Sequence, residues 1–330
     1  MESQYVFEGK EFYKSCHAVT ICQLPNKDLI AAWFAGTNEF EEGEPDQVIM
    51  GSTFNKESGK WGASRVWVNV PSKAAGNPRL FVTPNKVIWL IAPINYGEWC
   101  EGGTRLFYKC SYDLGCNWTD LALLIDEAGI LGKNKPIITK DASWIIPAEQ
   151  EKTWEACFLK SEDEGKTWSI VGKNISGGMN CIQPTVVQLS NGDLLAYMRT
   201  RGEDAIAETY SNDNGSTWSK AKLTSLPNNN SGIDMVRLYS GNLVLVCNKI
   251  KFKKVRRPGL GWGLRTPLNV LLSANEGQTW EHEIVLEDKP GEYSYPSVIQ
   301  SDEGTIHIVY SCNRTKIKHV MLSENELIDN

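Results

Sequence analysis

No stretch of the 330 residues approaches the ~18 consecutive apolar residues of a membrane-spanning helix, so a membrane is not an expected partner. A basic excess is also missing. There are 34 Lys+Arg against 40 Asp+Glu, and the net charge of −6 argues against nucleic acid, whose phosphates call for a basic surface. The nine cysteines are scattered and include no C-x-x-C pair, which removes the usual zinc spacing. Several lie in apolar runs such as VTICQL and LVLVCNK, where cysteine acts as a small hydrophobe in a reduced core. No phosphate loop, metal-ligand cluster or dinucleotide fingerprint is present, so neither a metal nor another cofactor is expected. The opening MESQYVFEGKEFYKSC has no basic-then-apolar leader pattern, and the expectation is a soluble, cytoplasmic protein. Sustained helical periodicity is absent throughout.

What is present is repetition. Ser111-Tyr-Asp-Leu-Gly-Cys-Asn-Trp118 is matched by Ser161-Glu-Asp-Glu-Gly-Lys-Thr-Trp168 and Ser211-Asn-Asp-Asn-Gly-Ser-Thr-Trp218. A fourth copy runs from Ser273 to Trp280 with Asn275 in place of Asp, and a degenerate one from Ser52 to Trp61. The four good copies start 50, 50 and 62 residues apart, and a period of this size marks a propeller or solenoid. Each octapeptide has hairpin chemistry. The Asp accepts from turn amides, the Gly supplies a positive φ, and the Trp opens the next strand. Asp113, Asp163 and Asp213 therefore read as turn residues. Around each turn lie four short β-rich runs, in the fourth unit Pro184–Leu189, Asp193–Met198, Ile206–Ser211 and Trp218–Leu223. The expectation is an all-β, six-bladed β-propeller with four antiparallel strands per blade, one domain over residues 1–330, closed by Tyr5–Phe7 pairing beside Thr315–Met321.

Topology then selects a face. The octapeptide turns join strands three and four, so the start of strand one and the loop after strand two share the opposite face, where a ligand site belongs. Those positions hold His17, Asn77, Lys133, Gln183, Asn230 and Tyr293, then Glu39, Glu41, Glu42, Glu44 and Asp46, then Glu149, Arg199, Arg201 and Arg314, with Arg265 at a third strand. A mouth rich in Asn, Tyr, Arg and carboxylates suits a hydroxyl-rich ligand, and arginines from several units suit a carboxylate. Arg256 and Arg257, in KFKKVRRPG, read as an exposed loop.

The S-x-D-x-G-x-T-W octapeptide is the Asp-box, and from end to end the chain resembles the Asp-box (BNR-repeat) sialidase-like family. The resemblance implies a six-bladed propeller and an enzyme cleaving a terminal acidic sugar from a glycan. Such enzymes use three arginines on the substrate carboxylate, a Tyr nucleophile activated by a Glu, and an Asp acid/base. Gly291-Glu-Tyr-Ser-Tyr295 is similar to the stretch that carries the nucleophile, which implies Tyr293 in that role. Gln183-Pro-Thr-Val-Val-Gln-Leu189, leading to Tyr197-Met-Arg199, resembles the segment with the activating Glu and second arginine, and Arg265 stands for the third. Asp46 is the implied acid/base, chosen among Glu39, Glu41, Glu42, Glu44 and Asp46. Arg201, Asn230 and Arg314 complete the expected substrate contacts.

Two departures accompany the resemblance. Gln183 stands where the family has its Glu and cannot take a proton. Cys16-His17-Ala18 stands where the family has Arg-Ile-Pro, and an imidazole there could act as a general acid or base. The open alternatives are another sugar-active propeller, a His17-dependent uronate lyase or rhamnosidase-like enzyme, and a non-catalytic glycan-binding propeller.

Overall fold

Runs such as Leu29–Gly36, Ile88–Asn95 and Leu243–Cys247 are buried along their whole length, which happens when a strand is covered on both faces. Outer strands alternate or lie open, as Lys222–Pro227 and His282–Glu287 do. This gradient, apolar inside and polar outside, sets the architecture in the computed structural model, which describes residues 1–9, 12–38, 42–98, 100–253 and 264–329.

The fold is all-β and built from antiparallel meanders. The first runs Ser15–Gln23, Leu29–Gly36, Val48–Asn55, with the short edge pieces Lys60–Trp61 and Arg65–Val68. In the second, Ile88–Asn95 pairs with Arg79–Val82 on one side and Thr104–Ser111 on the other. The third, around Trp144–Gln150 and Glu155–Ser161, is joined to the fourth by one parallel bridge, Glu155 to Cys181, so hydrogen bonding merges the two into a nine-stranded sheet. The fourth is Asn180–Gln188, Leu194–Arg201, Ala205–Ser211 and Lys222–Pro227. Its last strand begins four residues beyond Trp218, later than the sequence reading placed it, because the Trp is spent on packing. The fifth comprises Asp234–Arg237, Leu243–Cys247, Leu268–Ser273 and His282–Glu287. In the last, Tyr293–Gln300, Ile306–Cys312 and Lys316–Leu322 are completed by the N-terminal strand Glu2–Phe7, with Tyr5 opposite Lys318 and Phe7 opposite Ile317. The only helix among the described residues, Glu324–Ile328, is too short to cross a membrane.

The core is divided between neighbouring sheets. Ile30 and Ala32 pack on Leu80 and Leu90, Trp89 and Ile91 on Trp144 and Ile146, Ile145 and Phe158 on Val186 and Leu194. Leu195 and Tyr197 meet Leu243 and Leu245, and Val244 and Val270 meet Val298 and Ile308. The series returns to its start where Val309 and Ile317 pack on Ile21 and Trp33. Seven of the nine cysteines are buried, and all are free thiols.

The Asp-box turns are self-contained. Asp163 accepts from the Thr167 amide (2.9 Å), the Thr167 hydroxyl (2.6 Å) and the Ser161 hydroxyl (2.8 Å), and these bonds hold its carboxyl down at about 2. Gly165 has φ +82°, and a Cβ there would stand 2.8 Å from the Trp144 ring, so only glycine fits. The box tryptophans cover the preceding sheet, as Trp218 does by stacking on Phe158 at 3.8 Å between ring centres.

A candidate active site at the mouth of the sheets

The inner strands share a kink. Opposite Trp33, Met198 and Tyr310, the strands starting at Ser15, Asn180 and Tyr293 each carry one extra residue, and the register slips there. The first bulged residue is left-handed in every case: Ala18 (φ 52°), Gln183 (φ 53°) and Tyr295 (φ 54°). Asn77 (φ 36°) and Asn230 (φ 61°) take the same handedness ahead of the second and fifth inner strands. A positive φ in a non-glycine residue is strained by about 1–2 kcal/mol, and such strain gathers where a side chain must be re-aimed.

That kink corrects the expectation for Tyr293. In a regular strand Tyr293 and Tyr295 would share a face. The bulge at Tyr295 breaks the alternation, so Tyr293 packs into the apolar cluster with Val298, Tyr310 and Leu268, and Tyr295 turns to the mouth. A signal for this was present in the sequence. Asn77-Pro78, Gln183-Pro184 and Tyr295-Pro296 are matching residue-Pro pairs, and aligning them puts Tyr295, not Tyr293, beside Gln183.

Tyr295 lines a depression of about 330 Å³, within the range of small-ligand sites. Arg199, Arg201, Arg265, Arg314, Gln183 and Asn230 line it too. The Arg199 guanidinium donates to the Tyr295 hydroxyl at 3.1 Å and to the Asn230 carbonyl at 3.3 Å, and the Gln183 amide donates to the same phenol at 3.4 Å. The guanidinium carbons of Arg265 and Arg199 stand 5.3 and 5.5 Å from the centre of the Tyr295 ring. Glu292 braces two of the arginines. Its Oε1 accepts from Arg265 Nη1 (3.1 Å) and from Arg314 Nε (2.8 Å). Glu42 pairs with Arg314 and brings a carboxylate from the first meander to the mouth. Arg201 lies 4.9 Å over the ring of Trp154, an aromatic shelf that the sequence reading missed.

Two expected catalytic residues are elsewhere. Asp46 is exposed, accepts from the Thr37 amide (2.9 Å) and the Thr37 hydroxyl, and does not line the depression; Glu42 does. Asp46 is thus spent on closing its own loop. His17 is 1% exposed and lies behind Tyr295, 4.1 Å between ring centres, rather than on the open surface. Burial, then the charges of Arg314, Arg265, Lys133 and Arg199, push its pKa well below the usual histidine value, so it is neutral. Glu39, Glu41, Arg256 and Arg257 lie outside the described residues. Glu44 is half-buried in the loop before Asp46 and is not part of the lining.

The interior beneath the arginines is charged as well. Lys133 is buried with its ammonium on the Asn134 side chain (2.9 Å) and the Pro296 carbonyl, and desolvation brings it down to about 7. Glu149, from the strand Trp144–Gln150, lines the depression at 1% exposure and is pushed up to about 7, chiefly by burial. Its Oε2 accepts from the Gln183 amide at 3.3 Å. Among the described residues no group of three His, Cys, Asp or Glu side chains is arranged to hold a metal ion.

Comparison with known proteins identifies the family and the fold. The BNR repeat-like domain matches residues 27–308, most of the chain. The chain belongs to the BNR-repeat, Asp-box sialidase-like family. A curated relative, the anhydrosialidase of Macrobdella decora, is 25% identical over an alignment of 240 residues that covers 67% of this chain. The match spans only 30% of that relative's length. Among solved structures, the Hadza microbial sialidase Hz136 superposes with a TM-score of 0.84 at 18% identity, over 98% of this chain and 69% of that one. The intramolecular trans-sialidase from Ruminococcus gnavus superposes with a TM-score of 0.80 at 15% identity, over 97% and 98%. At these identities the two structures speak to the fold.

Proposed function

We propose that this chain is a glycan-active enzyme of the sialidase type, which holds a terminal acidic sugar in the depression and attacks it with Tyr295. The observation that carries the reading is the convergence of Arg199, Arg265 and Arg314 around one phenol. Planar guanidinium forks grip a carboxylate bidentately, and Glu292 keeps two of them oriented. A phenol attacks an anionic sugar without the repulsion a carboxylate nucleophile would meet. Glu42, rather than Asp46, stands in this reading as the acid/base carboxylate at the mouth. Arg201 and Trp154 offer the sugar a flat shelf, and Asn230 positions Arg199 through its carbonyl. The same reading takes residues 1–330 as one domain, a ring of six four-stranded blades. It is supported by the inter-sheet cores that run in series and return from the last sheet to the first.

The test is incubation with a 4-methylumbelliferyl α-sialoside and with 3′-sialyllactose, the products followed by fluorescence and NMR. Release of sialic acid is expected. Because two relatives are named as an anhydrosialidase and an intramolecular trans-sialidase, an anhydro sugar should be sought in the same spectra. Gln183, where the family has Glu, favours a second reading as a glycan-binding protein without chemistry; tight sialoside binding with no product would replace the enzymatic reading with that one. The His17-dependent alternative is disfavoured by the burial of that ring behind Tyr295.

A further inference from the structure

If Tyr295 attacks a sugar, its hydroxyl proton must go somewhere, and Gln183 beside it is only a donor there. Four carboxylates lie in or against the depression. Glu42 is engaged with Arg314, Glu292 with Arg265 and Arg314, and Glu151 with the Thr104 amide (2.9 Å) and hydroxyl (2.7 Å). Glu149 differs. Its Oε1 is buried in the lining and has no hydrogen-bond partner among the described residues. A buried carboxylate oxygen left unbonded is costly, so its retention at a site wall calls for a use. Gln183 links the two groups, and both line the same depression: its backbone amide holds Glu149, and its side-chain amide reaches Tyr295.

We propose that Glu149 is the carboxylate that receives the proton Tyr295 loses, the task Gln183 cannot perform. The proposal rests on the reading of Tyr295 as nucleophile. In the first step the Tyr295 Oη bonds to the anomeric carbon, and its proton passes to Glu149 Oε1. The glycosidic C–O bond breaks, and the electron pair leaves on the aglycone oxygen. A methylumbelliferyl aglycone departs as its phenolate and needs no proton. In the second step water attacks the anomeric carbon, and the Tyr295 oxygen leaves with the bonding pair. It recovers the proton from Glu149, and the water releases one proton to solvent.

The groups facing Glu149 are Arg79 and Arg199, whose charges favour its ionised form, Glu151, which opposes it, and the thiols of Cys157 and Cys100. Both thiols are pushed up to about 12 and stay uncharged near neutrality. With burial raising Glu149 to about 7, the base form is lost as pH falls through that value, and the rate should fall with it.

The experiment is the pH profile of methylumbelliferyl α-sialoside turnover by the wild type, Glu149→Gln and the double variant Glu149→Gln/Gln183→Glu, with a melting curve for each. Glu149→Gln should lower kcat about a hundredfold or more, keep KM within about threefold, and erase the acid limb near pH 7. The double variant, which returns a carboxylate to position 183, should recover at least about tenfold of the loss. A Glu149→Gln protein with wild-type kcat and limb overturns the proposal, as does a loss that Gln183→Glu fails to repair. A wild type that releases no umbelliferone defeats the functional reading itself, and with it the role of Glu149; the two failures are thereby told apart.

Discussion

The two ends of the same repeated unit are held in opposite ways. At the Asp-box end, partners lie within eight residues: Asp213 accepts from the Ser211 hydroxyl and from the Thr217 amide and hydroxyl, each at 2.8 Å or less. At the mouth, partners come from far along the chain. Arg199 and Tyr295 are 96 residues apart in sequence, and Gln183 and Tyr295 are 112. The mouth also carries the left-handed Gln183, Asn230 and Tyr295 together with the buried charges of Lys133 and Glu149. Left-handed residues occur at the turns as well, Glu164 (φ 59°) and Asn214 (φ 55°) among them, so the difference lies in the partners: the turn is locally complete, whereas the mouth gathers buried charges from distant strands. Local completeness serves folding, and the convergence of charged groups from distant strands marks the surface where a ligand is handled.

The sharpest way to break this comparison is a pair of phenol deletions. Tyr295→Phe should reduce turnover of a methylumbelliferyl sialoside at least about a thousandfold, while Tyr293→Phe, two residues away in the core, should stay within about twofold. Equal losses from both would dissolve the distinction between core and mouth. Next in size, Arg265→Lys retains charge but loses the planar fork, so acidic ligands should bind about 10–100-fold more weakly while neutral sugars are unaffected in titration calorimetry. A uniform loss for both ligand types would point to collapse of the site instead.

A third effect belongs to the core between the last and first sheets. His307 and His319 are buried with ring nitrogens 3.0 Å apart, and Trp61 donates to His319 at 3.1 Å. Burial lowers His307 to about 4 and His319 to about 3. Their folded pKa values lie below the unfolded one, so the unfolded chain binds protons first, and stability is lost as pH falls below about 6.5. Melting temperatures between pH 7.5 and 4.5 should fall less steeply in His307→Gln than in the wild type, and identical slopes would refute the assignment. The smallest effect is expected at the turn end. Asp213→Ala should cost about 1–2 kcal/mol in urea unfolding and leave sialoside binding unchanged. A folded Asp213→Ala protein that cannot bind would mean that the turn face is not separate from the site.

Much of this organisation was legible in the chain. Ser-x-Asp-x-Gly-x-Thr-Trp is a turn whose bonds close within itself, so its recurrence announced the meanders and which face carried the turns. Arg199, Arg265 and Arg314 were found by position, because the end of a second strand or the start of a third must lie on the opposite face. Tyr293 and Asp46 were misplaced for one reason. Each sits two to four residues from one that does reach the depression, and alternation or loop membership does not say which of them turns inward. Glu149 stands where a second strand ends on the mouth side, yet nothing local marks it as the carboxylate left with an unbonded oxygen.

The sequence by itself determined the strands, the turns and the side of the molecule that bears charge, since periodicity, turn chemistry and short-range hydrogen bonds act within a few residues. Only the tertiary structure decided that Tyr295 faces the arginines, that His17 is sealed behind it and neutral, and that Glu292 ties Arg265 to Arg314. Those outcomes depend on a single-residue bulge and on the burial of charges brought together from distant meanders. A bulge is a small local cost accepted for a long-range fit, and the energy of a buried charge is set by neighbours that sequence distance does not reveal.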